Sequence, residues 1–474
     1  MQYHIITYGC QMNKNDSERI AAVLEETGFK KAEDKNSADI IIVNTCSVRQ
    51  TAEDRVFGLI EVIKRHHNAK KRQNEKSFTP LIAITGCMIG RDKDGLLRKK
   101  LKEKGVDLFF KIDELPLLPK LITDIQQNPK FQMLNTKIFE NFGIRNFIGN
   151  WKLEIGNSDI KANTSTDVPY LAIFPQSSTS VSRYLTIQTG CNEFCSYCVV
   201  PYSRGREYYR PLKEILKEAK KIIEECNNNS VSDFGSERRN VPKGTRRIIE
   251  GNSACQIILL GQIVNKWQAP DPENFSKNNP FVLNQKRVSI ESSRQMSSRP
   301  CRELRSENSK QNSKFNHFAA LLWELNQLKG LETINFTSPH PSYMTDEVVK
   351  ALTLPKMANY LHLPVQSGDD EILKKMNRKY TVADYLKIIE KIRKVKPNIE
   401  LGTDIIVGFP GETEKQFQNT VKLCKKVKFN VAYIAMYSPR PGTMAYKNFL
   451  DDVPREVKKE RWNILNDLIN NRNK

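Results

Sequence analysis

The sequence lacks any apolar run that approaches the roughly 18 residues needed to span a bilayer. Its first residues, MQYHIITYGCQ, also lack a basic segment followed by a long apolar core, so no signal peptide is visible. The ten cysteines stand at irregular spacing in 474 residues, unlike the dense framework of a small disulfide-stabilised secreted domain. We therefore expect no membrane partner and a cytoplasmic chain whose thiols stay reduced.

Acidic residues are also few relative to basic ones. The chain has 54 Asp and Glu against 75 Lys and Arg, which gives a formal net charge of +21 at pH 7. A surplus this large favours a polyanionic partner, most simply nucleic acid, although the surplus alone does not identify one. The length of 474 residues predicts two to four domains with sizeable cores.

The tightest group of cysteines lies in the segment TGCNEFCSYC, where Cys191, Cys195 and Cys198 have the spacing C-x3-C-x2-C. Thiolates this close in the chain can bind one metal centre, and three of them on a four-iron cluster leave one iron without a protein ligand. Zinc would require four nitrogen or sulfur ligands, usually as two separated pairs, and no second pair follows. Free core cysteines rarely cluster this tightly. The spacing therefore favours an iron–sulfur cluster with one open iron.

Short apolar runs alternate with helical patterns over residues 3–121, which predicts a parallel sheet with helices on its faces. The predicted strands are Tyr3–Tyr8, Asp39–Asn44, Leu81–Thr85 and Val106–Phe110. The predicted helices are Asp16–Thr27, Thr51–His66 and Leu97–Lys102.

Three further cysteines, Cys10, Cys46 and Cys87, follow the first three of these strands. In an open parallel sheet, the loops that leave the C-terminal ends of the strands gather along one edge, where ligands bind. We therefore expect these cysteines to converge into a second three-thiolate site. The alternative is that each is a small buried residue at the end of a strand.

Changes in composition and periodicity predict the domain boundaries. We expect an N-terminal domain over residues 1–125, a linker over 126–180, a second domain of alternating strands and helices over 181–450, which the resemblance described below implies is a barrel, and a C-terminal helix over 451–474. The barrel domain contains about six predicted strand–helix units, interrupted by insertions over about 227–253 and 268–314. Both insertions are net basic, so they are either flexible RNA-contacting loops or solvated segments without a function.

The chain resembles the radical-SAM methylthiotransferases in a series of motifs that run in order along most of its length. The N-terminal motifs are TYGCQMNKNDSE (7–18), VNTCSVRQTAEDRV (43–56) and TGCM (85–88). The later motifs are TGCNEFCSYCVVPYSRGRE (189–207), LLGQIVN (259–265), FTSPHP (336–341), HLPVQSGDDEILKKMNRKYT (362–381), TDIIVGFPGETE (403–414) and YSPRPGT (437–443). YGCQMN and VVPYSRGRE are most similar to the branch that modifies isopentenyl-adenosine.

This resemblance implies a Rossmann-like parallel-sheet domain followed by a partial (βα)6 TIM-type radical-SAM barrel with long flexible insertions, an α/β fold throughout. Cys191, Cys195 and Cys198 would hold a [4Fe–4S] cluster whose open iron binds S-adenosylmethionine. Its reduction would yield a 5′-deoxyadenosyl radical that takes hydrogen from carbon 2 of adenine. Cys10, Cys46 and Cys87 would hold an auxiliary [4Fe–4S] cluster, at which the inserted sulfur is presented and methylated.

The implied activity is methylthiolation of carbon 2 of N6-isopentenyladenosine at position 37, in the anticodon loop of tRNA, with an electron donor and a sulfur source that remain to be identified. The alternatives are the same chemistry on threonylcarbamoyl-adenosine in tRNA or on a ribosomal protein, and a non-catalytic iron–sulfur RNA-binding protein. The family usually ends in a TRAM RNA-binding β-barrel, and no run of short alternating strands follows YSPRPGT. We therefore expect the basic surface and the insertions to contact tRNA phosphates instead.

Several other residues are candidates for a role at the site. Three polar residues near predicted strand ends are candidate contacts for S-adenosylmethionine or substrate, or have a structural role: Gln262, Gln366 and Arg378. Arg204 and Arg206 are expected to contact RNA or S-adenosylmethionine, or to be solvated. We expect His340 and His362 to be core histidines. Four cysteines outside the motifs are expected to have no role: Cys226, Cys255, Cys301 and Cys424.

Overall fold

The computed structural model describes residues 1–47, 50–72, 80–127, 169–175, 182–228, 255–282 and 315–471. The chain forms two compact units. Unit 1 comprises Met1–Ser178, Gly190–Asn192 and Cys198–Tyr208, and unit 2 comprises Thr179–Thr189, Glu193–Tyr197 and Tyr209–Lys474. Cys191 and Cys198 therefore belong to unit 1, and Cys195 belongs to unit 2.

Unit 1 alternates strands and helices, as the sequence predicts. Its strands are β1 (Gln2–Tyr8), β2 (Lys30–Lys31), β3 (Ile40–Thr45), β4 (Leu81–Gly86) and β5 (Leu108–Phe109). Its helices are α1 (Gln11–Glu26), α2 (Gln50–Arg72), α3 (Cys87–Arg91), α4 (Leu96–Glu103), α5 (Leu118–Gln127) and the short α6 (Val200–Ser203). The strands form one parallel sheet in the order β2-β1-β3-β4-β5.

The central strands of this sheet are buried on both faces, which explains their continuous apolar sequence. Ile40 and Ile42 of β3 belong to one core cluster, and the alternating residues Ile41 and Val43 belong to another on the opposite face. All four side chains are at most 1 % exposed. Burial of each contributes about 1.5–3 kcal/mol to folding.

Part of the predicted linker over residues 126–180 belongs instead to the core of unit 1, so the prediction is wrong there. Tyr170, Leu171 and Ile173 are buried in the same cluster as Ile40. The guanidinium of the buried Arg19 donates to the carbonyl oxygens of Leu171 and Ile173. This short apolar segment packs on the sheet without a strand or an α-helix. Residues 128–168 and 176–181 of the predicted linker lie outside the described residues.

The described part of unit 2 contains six strands of three or more residues. They are β6 (Ser182–Thr186), β7 (Gln256–Leu260), β8 (Thr333–Phe336), β9 (Tyr360–His362), β10 (Glu400–Val407) and β11 (Val431–Met436). The helices are α7 (Leu212–Asn228), α8 (His317–Asn326), α9 (Asp346–Ala351), α10 (Asp370–Lys375), α11 (Val382–Val395), α12 (Glu414–Val427), α13 (Met444–Asn448) and α14 (Arg455–Ile469).

The six strands are parallel and follow one another in chain order. β6, β7 and β8 form one sheet, β9, β10 and β11 form a second, and a parallel bridge joins Ile334 of β8 to Met357 ahead of β9. Each strand contributes to one hydrophobic core, through Leu185, Ile257, Ile334, Leu361, Leu401 and Ala432. This arrangement agrees with the predicted partial barrel of six strand–helix units.

The insertion predicted over residues 268–314 starts too early. The carboxylate of Asp271 accepts a hydrogen bond from the backbone N–H of Leu212 at 2.6 Å and so caps the N-terminus of α7. Asn279 is fully buried and donates to Glu324 at 2.9 Å, and Phe281 is buried in the core. Residues 268–282 are therefore anchored by a few buried contacts. Residues 283–314, and residues 229–254 of the other predicted insertion, lie outside the described residues.

Helix α14 packs against strand β11 and completes unit 2. The indole Nε1 of Trp462 donates to the carbonyl oxygen of Ile434 at 2.9 Å, and Leu465 is fully buried. Among the residues that the structure describes, no helix is both long enough and apolar enough to cross a membrane.

Candidate metal centre

Cys10, Cys46 and Cys87 lie at the C-terminal ends of three neighbouring strands of unit 1. Cys46 directly follows β3, Cys87 directly follows β4, and Cys10 comes two residues after β1. The strands are paired in register, so that Tyr8 lies opposite Thr45 and Thr45 lies opposite Gly86. The strand order also reverses between β1 and β3, which is the point where parallel sheets of this order bind ligands. The structure thus brings the three cysteines to one edge.

A pair of buried asparagines holds the loop that carries Cys10. The amide Nδ2 of Asn13 donates to Oδ1 of Asn44 at 2.9 Å, and Nδ2 of Asn44 donates to the Asn13 carbonyl oxygen at 2.8 Å. Asn13 Oδ1 accepts from the backbone N–H of Cys10 at 3.3 Å. Helix α1 therefore begins at Gln11, and the predicted start at Asp16 is wrong, because polar residues in its first turns are buried. The sequence reasoning missed both asparagines, although each stands beside a cysteine in its motif.

The surroundings of Cys10 favour its thiolate form. A hydrogen bond with the Cys46 side chain, together with the positive charge of Arg204, lowers the pKa of Cys10 to about 6, although desolvation of the thiol acts in the opposite direction. Cys46 and Cys87 are both 5 % exposed. Because the thiolate is the form that binds metal, this environment suits a metal ligand.

Arg204 contacts both this group of cysteines and a buried carboxylate. Its Nε donates to Sγ of Cys87 at 3.3 Å, and its Nη2 donates to Oδ2 of Asp16 at 2.5 Å. The two side chains of the ion pair are 3 % and 2 % exposed. Burial opposes the charge, but Asp16 and Cys87 more than offset it and raise the pKa of Arg204. Arg204 is therefore not solvated, and its contact with RNA or S-adenosylmethionine stays a prediction, whereas Arg206 is exposed.

A glycine lets the helix that begins at Cys87 approach the helix that follows Cys198. A Cβ atom at Gly90 of α3 would lie 2.1 Å from the carbonyl oxygen of Ser203 in α6, so a larger residue cannot be accommodated without a backbone shift. Arg204 directly follows α6 and contacts Cys87. The chain after Cys198 is therefore packed tightly onto the chain after Cys87 within unit 1.

The other cysteines of unit 1 also have close backbone neighbours. The backbone N–H of Cys191 donates to the carbonyl oxygen of Gly205 at 3.1 Å, and the N–H of Val200 donates to Sγ of Cys198 at 3.4 Å. Gly190 has a φ of 74°, and a Cβ there would meet the carbonyl oxygen of Arg206 at 1.9 Å. A glycine is required at this turn because L-residues with a side chain rarely adopt that conformation.

In unit 2, Arg378 contacts Cys195. Its Nη1 donates to Cys195 Sγ at 3.3 Å, its Nε donates to the Tyr380 hydroxyl at 3.0 Å, and its Nη2 donates to the Pro364 carbonyl oxygen at 3.3 Å. The guanidinium also lies over the Tyr380 ring, 5.1 Å from its centroid. Arg378 was predicted as a contact for S-adenosylmethionine or substrate, and in the structure its donors are directed to protein atoms, one of them a cysteine sulfur.

The segment around Arg378 also holds the backbone of the loop at residues 193–197. Asn377 Nδ2 donates to the carbonyl oxygens of Glu193 and Phe194 at 3.1 and 3.0 Å. The backbone N–H of Ser196 donates to the Met376 carbonyl oxygen at 3.0 Å. Cys195 is therefore held by a segment almost 200 residues further along the chain, which no local pattern in the sequence could reveal.

Glu193 forms ion pairs and hydrogen bonds with the surrounding side chains. It accepts hydrogen bonds from Lys266 at 2.8 Å and from the Tyr343 hydroxyl at 2.5 Å, and Lys379 lies at 3.5 Å. Burial alone would raise the pKa of Glu193, but these hydrogen bonds and charges lower it to about 2. Glu193 therefore stays ionised and fixes the loop between Cys191 and Cys195. The sequence reasoning missed this residue.

The other two candidate residues, Gln262 and Gln366, lie in the segments that follow β7 and β9. Gln262 is half-buried, and its buried Oε1 has no hydrogen-bond partner among the described residues. Gln366 is 8 % exposed, has a φ of 69°, and pairs through its backbone with Asp404 and Ile406 of β10. A role for either in binding S-adenosylmethionine or substrate stays a prediction.

The two candidate histidines have protein partners, as expected of structural residues. His340 is 4 % exposed, and its Nδ1 accepts from the backbone N–H of Ser342 at 3.2 Å. Burial, aided by the Arg378 charge, lowers its pKa to about 3. His362 Nε2 lies 3.0 Å from an Asp404 carboxylate oxygen.

The cysteines outside the motifs differ from one another. Cys226 near the end of α7 and Cys255 before β7 were expected to have no role, and they form a disulfide with each other. Cys424 is 2 % exposed, and burial raises its pKa to about 12, which fits a core residue. Cys301 lies outside the described residues.

The residues of unit 1 supply the ligand type of an iron–sulfur cluster. Cys10, Cys46 and Cys87 lie at one edge of the sheet, and thiolates are the usual ligands of a four-iron cluster. Arg204 Nη1 is buried without a hydrogen-bond partner among the described residues, so this donor is available to a cluster sulfur. The donor set therefore suits an anionic cluster.

Comparisons with protein families match two segments of the chain. Residues 2–110 match the uncharacterized protein family UPF0004, and residues 311–424 match the radical SAM superfamily.

Comparisons with individual proteins extend this result over the whole chain. The chain is 33 % identical to the tRNA-2-methylthio-N(6)-dimethylallyladenosine synthase of Clostridium botulinum (strain Hall), over 99 % of this chain and 81 % of that protein. It is 34 % identical to the synthase of the same name from Thermoanaerobacter sp. (strain X514), over 99 % of this chain and 78 % of that protein.

Two solved structures share the fold. The radical S-adenosylmethionine methyltransferase TsrM from Kitasatospora setae superposes with a TM-score of 0.51 at 14 % identity, over 94 % of this chain and 75 % of that one. The cobalamin-dependent S-adenosylmethionine radical enzyme OxsB superposes with a TM-score of 0.50 at 11 % identity, over 98 % of this chain and 56 % of that one. At these identities the likeness extends to the fold alone.

Proposed function

The chain belongs to the family of tRNA-2-methylthio-N(6)-dimethylallyladenosine synthases, and from this premise we propose that it adds a methylthio group to carbon 2 of the adenine in N6-isopentenyladenosine of tRNA. It is a radical-SAM methylthiotransferase, and its cofactors are S-adenosylmethionine and two [4Fe–4S] clusters. The substrate position is adenosine 37 in the anticodon loop.

One observation carries the proposal most directly. Cys10, Cys46 and Cys87, which are distant in sequence, lie at the ends of three adjacent strands, at the edge where such sheets bind ligands. We assign the auxiliary cluster to these three cysteines. The cluster that binds S-adenosylmethionine is assigned to Cys191, Cys195 and Cys198 from their C-x3-C-x2-C spacing, which leaves one iron open.

The bound clusters supply the electron that cleaves S-adenosylmethionine and the sulfur that replaces the hydrogen on carbon 2. The protein's own residues prepare the ligands. Cys46 and Arg204 favour the Cys10 thiolate, and the Asn13–Asn44 pair fixes the Cys10 loop. Asn377 and the ionised Glu193 fix the backbone that precedes Cys195. The chain's own contacts thus fix Cys10 and the segment before Cys195, which supplies one cysteine of each group.

The remaining partners follow from the charge and from the reaction. The formal charge of +21 favours binding to the phosphates of tRNA. The reductive cleavage requires a one-electron donor, and repeated turnover requires a sulfur source. We place the chain in the cytoplasm, where the cysteines assigned to the clusters stay reduced. Among the described residues, only the Cys226–Cys255 pair is oxidised.

Anaerobic reconstitution of the purified chain tests the proposal. We expect about eight irons per chain, because two four-iron clusters are assigned. With reductant, S-adenosylmethionine and tRNA that carries N6-isopentenyladenosine, 5′-deoxyadenosine and the methylthiolated nucleoside should both form. About four irons, or no cleavage of S-adenosylmethionine, would favour a non-catalytic iron–sulfur RNA-binding protein. If product forms only on threonylcarbamoyl-adenosine tRNA, or only on a ribosomal protein, the chain has the substrate of another branch of the family.

A further inference from the structure

Each group of three cysteines includes one thiol that accepts a hydrogen bond from an arginine. In unit 1, Arg204 Nε donates to Cys87 at 3.3 Å. In unit 2, Arg378 Nη1 donates to Cys195, also at 3.3 Å. The two arginines come from different parts of the chain, so the two contacts are independent of each other.

Hydrogen bonds to the ligand sulfurs and the net charge around a cluster are two of the factors that set its reduction potential. A cluster gains one negative charge when it is reduced. A guanidinium that donates to a ligand sulfur therefore stabilises the reduced form more than the oxidised form, and raises the potential. This effect requires the contact to be fixed, and each arginine has further partners that fix it: Asp16 for Arg204, and Tyr380 and Pro364 for Arg378.

We propose that Arg204 and Arg378 are positioning residues that raise the reduction potentials of the two clusters separately, Arg204 for the cluster on Cys10, Cys46 and Cys87, and Arg378 for the cluster on Cys191, Cys195 and Cys198. This inference rests on the cluster assignments of the proposed function. It assigns to Arg378 a role different from direct contact with S-adenosylmethionine or substrate.

The surroundings of the two arginines predict unequal effects. Arg204 has the carboxylate of Asp16 at 2.5 Å, which cancels much of its charge at a distance. The other two hydrogen-bond acceptors of Arg378, the Tyr380 hydroxyl and the Pro364 carbonyl oxygen, are neutral. Arg378 should therefore raise its cluster's potential more than Arg204 does. For the same reason, Asp16→Asn should raise the potential of the cluster near Arg204, the opposite of removing the arginine.

Two background proteins separate the clusters. Replacement of Cys191, Cys195 and Cys198 by alanine leaves only the auxiliary site, and replacement of Cys10, Cys46 and Cys87 leaves only the other site. Arg204→Gln, Arg204→Lys, Arg378→Gln and Arg378→Lys are then made in both backgrounds, with Asp16→Asn in the first. The midpoint potential of each is measured by anaerobic titration followed by electron paramagnetic resonance, with iron content and circular dichroism as checks on assembly and folding. Arg206→Gln is the matched control, because Arg206 is exposed and only two residues from Arg204.

We expect Arg378→Gln to lower the reduction equilibrium constant of its cluster at least tenfold, which is about 59 mV for one electron. Arg204→Gln should lower the reduction equilibrium constant of the auxiliary cluster by a smaller factor, and Asp16→Asn should raise that constant. The lysine variants should retain part of the effect, and each arginine change should leave the other cluster's potential unchanged. Arg206→Gln should change neither potential.

The inference would be overturned if the arginine variants assemble their clusters with unchanged reduction potentials, or if Asp16→Asn lowers the potential of the auxiliary cluster. The proposed function would not be affected by either result. If a glutamine variant does not bind its cluster, the potentials of the lysine variant and, for the auxiliary cluster, of Asp16→Asn provide the test. Parent backgrounds that bind no four-iron cluster at all would overturn the cluster assignments, and this inference with them.

Discussion

Asn13 donates a hydrogen bond of 2.9 Å to Asn44, and this buried contact joins the helix that follows Cys10 to the strand that ends before Cys46. Asn44 also donates to Ser17 Oγ at 3.0 Å. Both asparagines are fully buried. The relative position of two of the three assigned auxiliary ligands therefore depends on amide–amide contacts rather than on apolar packing.

Replacement of Asn44 by alanine tests this dependence. The change leaves the Asn13 amide buried without its partner, which costs about 1–3 kcal/mol. We expect a lower free energy of unfolding in urea and a loss of iron from the auxiliary site in the background that lacks the other three cysteines. Asn36→Ala, at an exposed position of the same unit, serves as the control and should change neither quantity. Full iron content in Asn44→Ala would show that the pair does not position the ligands.

Because α3 approaches α6 closely, a glycine-to-alanine substitution at that contact should have a different effect on stability from the same substitution at an open position. Gly90→Ala places a Cβ within 2.1 Å of the Ser203 carbonyl oxygen and should cost about 1–3 kcal/mol, because the backbone must move. Gly58→Ala, in α2, meets no atom within 4 Å and should stabilise the protein by about 0.5–1 kcal/mol. Urea unfolding of the two variants checks the signs, and a neutral or stabilising Gly90→Ala would contradict the close packing.

The acid stability of the protein should depend on Glu193. Its pKa in the folded protein is about 2, below the usual value of about 4.3, so its stabilising contribution is complete above about pH 4.3 and is lost as the pH falls toward 2. After allowance for solvent screening of the lysines, the contribution is about 1–2 kcal/mol. We expect Glu193→Gln to be less stable than wild type at pH 7, and the difference to shrink between pH 5 and pH 3.

The control for this series is Glu224→Gln, at an exposed position on α7. It should follow the wild-type unfolding midpoint at every pH. A difference between wild type and Glu193→Gln that stays constant down to pH 3 would show that the Glu193 ion pairs contribute nothing.

Much of the fold was predictable because burial on both faces of a parallel sheet leaves continuous apolar runs. Strands β1, β3 and β4 agree with the predicted bounds within one residue at each end. The predictions failed where polar residues are buried, as at the start of α1, and where a short segment without periodicity packs on the core, as at Tyr170 and Leu171. Hydropathy patterns carry no information on such contacts.

The candidate site was only partly predictable, for a related reason. The cysteines could be found from their spacing and from their positions after successive strands. The arginines that contact them could not, because Arg204 is 117 residues from Cys87 and Arg378 is 183 residues from Cys195. From the sequence, Arg204 is expected to contact RNA or S-adenosylmethionine or to be solvated, and only the fold shows its buried ion pair with Asp16.

Binding of tRNA should depend on the charge of residues 283–314. This segment contains eight lysines and arginines against three glutamates. We expect affinity for tRNA to fall steeply with salt, and replacement of the segment by a short Gly/Ser linker to weaken binding and to reduce the salt slope. A second variant keeps the full length of the segment but has its eight basic residues changed to serine, which separates the effect of charge from that of length. Its affinity for tRNA and its salt dependence should match those of the deletion. Unchanged binding at low salt in both variants would contradict the expectation.

Substitution of a cysteine in each of the two groups should block a different step of the reaction. Cys191→Ala should abolish formation of 5′-deoxyadenosine, because it removes a ligand of the cluster assigned to S-adenosylmethionine. Cys46→Ala should retain at least part of that cleavage and abolish methylthiolation, because it removes a ligand of the assigned sulfur donor. Chromatography of both products from single-turnover reactions distinguishes the variants. Equal loss of cleavage in both would argue against separate roles, and Cys424→Ala, in the core of unit 2, controls for the loss of a thiol.

The central claim is that this chain methylthiolates N6-isopentenyladenosine in tRNA by means of two clusters. Mass spectrometry of tRNA nucleosides from a strain that lacks the gene tests it most directly. The methylthiolated nucleoside should disappear, with N6-isopentenyladenosine accumulating in its place. It should return with the wild-type gene and not with Cys46→Ala. An unchanged level of the methylthiolated nucleoside in the deletion strain, or full restoration by Cys46→Ala, would contradict the account.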